Sequence, residues 1–366
     1  MQWSLILIPL MGQLCFIKCY MYEYKYIEYL MTWTQAQEYC RKNHTDLATV
    51  TNMTDVKKLK TAEQRPAWIG LKNYTNSNKK WHWSLPGLSF IKEEAYWSYG
   101  EPNNHQSELC VFLRENLTWV DDYQYCSMNQ RFICYNETNP TQKFHLIETP
   151  LNWTNAQRYC RENHTDLISG RQQLDQLNKT WTGDMKGKLS NTQTCVFIGL
   201  FSDTWVWSDE SSFSFRYWDP QRDRDKNCAV LTNKGMWSTD DCSENRPFIC
   251  YKDHVILIKE NRTWEEALYY CRHHNHDLVT ITTMDEQRWV QEKTKNASSP
   301  FVWTGLRYTC TLGFWFWVSD EVVHYKNWAS PEQVNECDMS GAMETGGEHK
   351  WFKKHDEEKF NFFCSK

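Results

Sequence analysis

Cysteines, a histidine cluster and a mixed-charge loop are the parts of this chain whose residue types and spacing could do chemistry. Fifteen cysteines are spread over 366 residues, with histidines among them, and a Cys-His pair is the smallest nucleophile-and-base set. His273, His274 and His276 crowd together as zinc ligands could. Asp223 and Asp225 could hold a metal, but they alternate with Arg222, Arg224 and Lys226, so a solvated acidic-basic loop is the expected reading. The histidines stand where two sister segments carry Asn-His-Thr (43–45 and 163–165), which makes them a helix end and not a zinc site. Nearly all the cysteines recur at matching places in repeated segments, as structural partners would. No nucleophile-base set remains, and no enzyme is expected.

Net charge is −5, from 41 Lys and Arg against 46 Asp and Glu. No basic field exists to hold a nucleic-acid backbone or an anionic membrane, and neither is an expected partner. Twenty Trp, 19 Tyr and 17 Phe supply much buried area per residue, which suits compact modules rich in loops. Tyr20, Tyr22, Tyr24 and Tyr26 alternate as an opening strand does. The apolar run from Leu5 to Ile17 is too short to span a bilayer and reads as a signal peptide over 1–19, cut near Cys19. No later stretch approaches the roughly 18 apolar residues of a membrane span, so none is expected after signal removal.

Asn43, Asn52, Asn73, Asn116, Asn136, Asn152, Asn163, Asn178, Asn261 and Asn296 each open an Asn-x-Ser/Thr sequon. So many sequons in a cysteine-rich chain point to the secreted, extracellular route, where thiols become disulfides.

The elements that position these residues come in three copies. Met31 to Cys40, Leu151 to Cys160 and Arg262 to Cys271 share a Trp-x-x-Ala-x-x-x-Cys core, and each continues through Asp46-Leu, Asp166-Leu or Asp277-Leu. Thr32, Asn152 and Thr263 can cap short amphipathic helices that turn the cysteine inward. Each copy then has an apolar strand (Trp68 to Leu71, Phe197 to Leu200, Trp303 to Leu306) and a Trp-x-Trp strand (Trp81/Trp83, Trp205/Trp207, Trp315/Trp317). Each closes on an aromatic strand ending at Cys134, Cys250 or Cys364, and a helix-to-closing-strand bridge within each copy is expected. A period this long means whole domains, not a solenoid.

These motifs, from about Tyr20 to Lys366, resemble the C-type lectin-like domain, and their tandem arrangement is similar to a segment of the macrophage mannose receptor family, with its phospholipase A2 receptor relatives. The resemblance implies an α+β fold: three tandem domains over 20–136, 143–252 and 253–366, each with two helices, small antiparallel sheets and a long ligand-carrying loop region. It implies the pairs Cys40–Cys134, Cys110–Cys126, Cys160–Cys250, Cys228–Cys242 and Cys271–Cys364. In the third copy Asp356 stands where the other copies have Cys126 and Cys242, so Cys337 has lost its usual partner, and Cys310 is the suggested replacement. Cys195 is left over, either as a buried free thiol or as a link between chains or domains.

The same resemblance places a Ca2+ site in the first copy. A hard cation takes six to eight oxygens, and side chains that also touch the sugar must accept or donate hydrogen bonds. Glu101-Pro102-Asn103 and Glu108 match the family's mannose-type motif, in which a cis peptide before the proline is expected. That version implies mannose, N-acetylglucosamine or fucose, on glycans or glycoproteins. Where the family has Trp-Asn-Asp this chain reads Trp119-Val120-Asp121-Asp122, and the expected ligands are Glu101, Asn103, Glu108, Asp121 and Asp122, with Glu101, Asn103, Glu108 and Asp121 also touching sugar. In the second copy Lys226 takes the glutamate's place, a cation opposing a cation. The third has Asn335 there and Trp351-Phe-Lys-Lys downstream. Neither is expected to bind sugar through calcium; both are candidate spacers or protein contacts. The resulting expectation is calcium-dependent carbohydrate recognition through domain 1, of the kind used in innate immune pattern recognition. The rival is a calcium-independent protein-binding module with no sugar affinity.

Overall fold

The computed structural model describes residues 21–59, 65–74, 79–103, 109–114, 116–139, 141–180, 196–274, 276–331 and 336–366. The expected signal peptide over 1–19, Glu108, Cys195 and Asn335 lie outside the described residues. Two compact units result: Tyr24–Asp253, and His254–Lys366 with residues 21–23.

The first copy runs β1 (Tyr22–Met31), α1 (Trp33–Asn43), β2 (Asp46–Leu47), α2 (Met53–Leu59), β3 (Ala67–Asn73), β4 (Lys80–Trp83), β5 (Leu109–Leu113), β6 (Trp119–Asp122), α3 (Tyr123–Ser127) and β7 (Gln130–Tyr135). The second runs β8 (Phe144–Leu151), α4 (Trp153–Asn163), β9 (Asp166–Leu167), α5 (Arg171–Thr180), β10 (Val196–Asp203), β11 (Trp205–Trp207), β12 (Cys228–Leu231), β13 (Trp237–Asp240) and β14 (Arg246–Asp253). The helices start as their caps dictate: Thr32 and Gln35 close a reciprocal capping box, and the Asn152 side chain accepts from the Asn155 N–H. Trp33, Ala36 and Cys40 share the buried face of α1, and the Trp33 indole donates to the Ile69 carbonyl at 3.0 Å. Trp153 makes the matching bond to Ile198 at 2.9 Å.

The two copies do not close separately. One sheet orders β1-β14-β3-β12-β13, with β11 on β3 and β2 on β14; the other orders β6-β5-β10-β7-β8, with β4 on β10 and β9 on β7. Each lobe of this unit therefore joins the front of one copy to the back of the other. The second lobe is the continuous stretch from β4 to β10, a cyclic reordering of the repeat, and it is inserted into the first lobe between β3 and β11. The disulfides follow the sheets. Cys40 pairs with Cys250 and Cys134 with Cys160, which corrects the Cys40–Cys134 and Cys160–Cys250 pairs implied by the resemblance. Cys110–Cys126 and Cys228–Cys242 each lie inside one lobe.

The cause is a hinge too short to turn. In the third copy β15 (Val255–Arg262) leads through a helix (Trp264–His273), β16 (Asp277–Leu278) and a second helix (Met284–Lys293) to β17 (Phe301–Thr309). That strand reverses through four residues, including Gly313 at φ 72°, into β18 (Phe314–Trp317), setting Leu306 against Trp317 and Tyr308 against Trp315. The same register in the second copy would leave only Asp203-Thr204 for the reversal. Two-residue hairpin turns need positive φ at one or both positions, which a β-branched residue resists. The chain runs straight instead. The pairing is kept with exchanged partners: Leu200 faces Trp83, and Leu71 faces Trp207. Thr204 donates to the Asn73 side chain at 2.6 Å, and Arg216 pairs with Asp203 at 2.8 Å, both at the crossing. Ser208 and Ser84, each following an exchanged Trp-x-Trp strand, bond Asp46 and Asp166 of the other copy.

The third copy closes within itself as β15-β21-β17-β19-β20, completed by β19 (Met339–Glu344), β20 (Trp351–His355) and β21 (Phe360–Ser365), with Cys271–Cys364 bridging helix to closing strand. Cys310 pairs with Cys337 and ties the hairpin to the loop before β19. Strand register corrects the reading of the missing inner bridge. Ser340 faces Arg307 and Lys354 as Cys228 faces Lys72 and Asp240, so Ser340, not Cys337, holds the inner-cysteine position, and Asp356 holds that of Cys242. A polar latch replaces the covalent one: Ser340 donates to Asp356 at 2.6 Å, and Arg307 pairs with Asp356 at 3.0 Å and with Glu265 at 3.3 Å. Burial pushes the Asp356 carboxyl above its ordinary value. The double variant Ser340→Cys, Asp356→Cys is expected to oxidise to a new bridge worth about 3 kcal/mol for a loop near 15 residues. Peptide mapping and thermal unfolding would check this.

Candidate functional site

The loop before β5 is strapped to β6 at its root. Trp119 donates to the Tyr96 carbonyl at 2.7 Å and Ser98 to the Trp119 carbonyl at 2.9 Å, and Trp81, Trp97 and Trp119 pack ring against ring. From this anchor the chain makes a turn closed by the Glu101 N–H on the Ser98 carbonyl at 3.0 Å, with Gly100 at φ 84°. It then enters a cis Glu101–Pro102 peptide, as the motif implies.

Alternation along β6 decides which of its residues face this loop. Trp119 lies in one core of the lobe and Val120 in the other, beside Phe112 and Phe132, so Val120 is a packing residue and not a failed ligand. Asp121, on the Trp119 side, is 2% exposed, and its Oδ1 accepts from the Asn103 N–H at 3.0 Å. Burial, a hydrogen bond to Asp121 and repulsion from the Asp121 charge, in that order, hold the Glu101 carboxyl above its ordinary value. The Glu101 Oε2 is buried with no hydrogen-bond partner. Asp122 falls on the Val120 side of β6 by the same alternation, and its Oδ1 accepts from the Gln124 N–H at 2.6 Å, capping α3.

Glu101, Asn103 and Asp121 are thus brought together, Asp122 is not, and Glu108 lies outside the described residues. Two carboxyl groups in contact, one with an orphaned buried oxygen, make a donor set that suits a hard cation. Among the described residues no three His, Cys, Asp or Glu side chains converge, so this acidic pair with its neighbouring amide is the extent of the described cluster. Lys79, which the sequence reading passed over, lies within electrostatic reach of Asp121. Its only sequence signal is its place just before the Trp-x-Trp strand.

One matching place in each of the other copies carries a cation. Lys226 pairs with Asp241 at 3.8 Å. In the third copy strand register puts Lys353 where Asp121 stands, and its Nζ donates to the Pro331 carbonyl at 2.9 Å. Register also moves the position two before the inner cysteine from Asn335 to Asp338, whose backbone carbonyl accepts from the Asp356 N–H at 3.0 Å. The histidine cluster is a helix end: His274 Nδ1 contacts the Tyr270 carbonyl and His276 Nδ1 the His274 carbonyl. The Asp223 carboxylate accepts from the Asp225 N–H at 2.9 Å within its own loop.

The chain has relatives among known proteins. The chain is 24% identical over 370 residues to the human (Homo sapiens) C-type mannose receptor 2, covering 85% of this chain and 24% of that protein. It is 21% identical over 376 residues to the human secretory phospholipase A2 receptor, covering 83% and 25% respectively. A shorter match, 34% over 121 residues, joins it to L-selectin of Rattus norvegicus, covering 31% of each chain. The chain spans about a quarter of the length of the two receptors. Among solved structures, the carbohydrate-recognition domain of mouse scavenger receptor C-type lectin aligns at 25% identity and TM-score 0.28, covering 31% of this chain and 86% of that one. The lectin C-type domain profile matches residues 29–136, 149–252 and 260–366, so the chain belongs to the C-type lectin domain family, with three tandem matches to that domain.

Proposed function

We propose that the chain is an extracellular, non-enzymatic recognition protein whose first copy binds mannose-type sugars with the help of Ca2+. The observation that carries this reading is the contact of Glu101 with Asp121 beside Asn103, leaving Glu101 Oε2 buried and without a partner. Glu101, Asn103, Asp121 and Glu108 would hold the ion. When bound, Ca2+ supplies a centre to which vicinal sugar hydroxyls can add their oxygens. Around it the Glu101 carboxylate accepts hydrogen bonds from those hydroxyls and the Asn103 amide donates them, while Asp121 fixes the Asn103 backbone. The secreted route, the sequons and a role in pattern recognition belong to this reading. Among the described residues no helix is long and apolar enough to cross a membrane.

The second and third copies favour a different use, because Lys226 and Lys353 put ammonium groups where ligand oxygens would be needed. They are proposed as calcium-independent protein-contact surfaces. The test is retention of the full chain on mannose resin. EDTA is expected to release it, Glu101→Gln with Asn103→Asp to move retention to galactose, and pH 5 to weaken it relative to pH 7. The sign follows from the raised Glu101 value: a proton competes for the carboxylate as pH falls toward it, and binding needs the ionised form. Retention indifferent to EDTA would leave protein binding as the function of all three copies.

A further inference from the structure

Tyr99 is the most exposed large apolar side chain among the described residues, at 107% of the reference accessibility, and it stands two residues before Glu101. Exposed tyrosines are ordinary; one held on a rigid backbone beside a ligand site is not. The turn that carries it is fixed on both sides. Ser98 is buried and bonded through both its N–H and its hydroxyl, and the Glu101 N–H closes the turn onto the Ser98 carbonyl. Gly100 has the positive φ expected of the third residue of a type II turn. A Cβ built on Gly100 would meet nothing within 4 Å, so the turn opens onto free space. Tyr96, three residues earlier, is occupied in packing: it lies under the Arg171 guanidinium at 3.4 Å and meets Trp119 edge to face. Tyr99 has no such duty in the fold.

We propose that Tyr99 is a sugar-contacting residue whose ring covers the apolar face of the sugar next along the chain from the one held at Glu101 and Asn103. The inference rests on the reading of that site as a sugar site. Two residues of chain span at most about 7 Å, so the ring and the carboxylate can touch adjacent pyranoses. A tyrosine offers a flat apolar face with a polar tip, at a low cost in side-chain entropy. The consequence is selectivity for length. A monosaccharide fills the Glu101–Asn103 position, and an oligomannoside also covers the ring.

The test uses the full chain with Ca2+ present, and calorimetry with methyl α-mannoside and with an α-linked mannotriose. Tyr99→Ala is expected to weaken mannotriose binding about five- to tenfold, the scale of one lost aromatic contact, with Ca2+ uptake unchanged. Tyr99→Phe should stay within about twofold of the parent, since the face and not the hydroxyl does the binding. Equal affinities for the parent and Tyr99→Ala overturn the proposal alone. Absence of any Ca2+-dependent sugar heat in the parent overturns both this and the reading of the site. Loss of a protein ligand but not of sugar in Tyr99→Ala would assign the ring to protein docking instead, against the proposal.

Discussion

Inserting Gly-Asn-Gly between Asp203 and Thr204 is expected to re-sort the outer disulfides, so that peptide mapping finds Cys40–Cys134 and Cys160–Cys250 in place of Cys40–Cys250 and Cys134–Cys160. The argument is one of near balance. Both arrangements form the same leucine-to-tryptophan strand pairs and bury the same helix faces, so most of the folding free energy cancels between them. Closure entropy nearly cancels too. The exchanged form closes loops of 210 and 26 residues, the separate form two of about 90, and with a cost that grows only as the logarithm of length the totals differ by less than about 0.5 kcal/mol. The hinge then decides. Forcing Thr204 into a left-handed conformation costs on the order of 1 to 3 kcal/mol, a factor of roughly 5 to 150 in populations. A longer, glycine-bearing loop removes that cost, and local pairing wins. Unchanged disulfides in the insertion variant would show that something other than hinge length selects the exchange.

The second large effect separates two neighbouring carboxylates. Asp121→Ala is expected to lower Ca2+ affinity on the order of a hundredfold, because it removes one charge of a pair and frees the Asn103 backbone. Asp122→Ala should leave cation uptake within about threefold and cost roughly 1 kcal/mol in stability, the value of a lost N-cap. Titration calorimetry with the ion alone, beside thermal unfolding, reads both. Equal loss of affinity in the two variants would place Asp122 at the ion and contradict the geometry.

Much of this was legible in the residues. The three copies, their caps, the Trp-x-Trp strands and the loop ending in Glu101-Pro102-Asn103 depend on local patterns that one sequence displays. What escaped was relational. Strand exchange turns on the single residue between β10 and β11, and strand propensity is equally satisfied by either partner. The part played by Asp122 was hidden because alternation along β6 gives Asp121 to the loop, and only the start of α3 claims its neighbour. Ser340 was invisible as the inner-bridge position because Cys337, three residues away, offered itself as the obvious candidate. The pairing of Cys310 with Cys337, by contrast, was suggested by an extra cysteine after the Gly-Leu strand, although spacing alone could not fix it.

The insertion of one lobe within another also sets an order of events during synthesis. Cys40 must wait for Cys250 to emerge 210 residues later, about 10 to 40 s at ordinary elongation rates. Cys134, its local rival, appears well before then. The mature pairing is thus reached by passing over, or undoing, an earlier and nearer bond. Yield should therefore depend on an isomerase that can reshuffle thiols after the last of the second copy has left the ribosome.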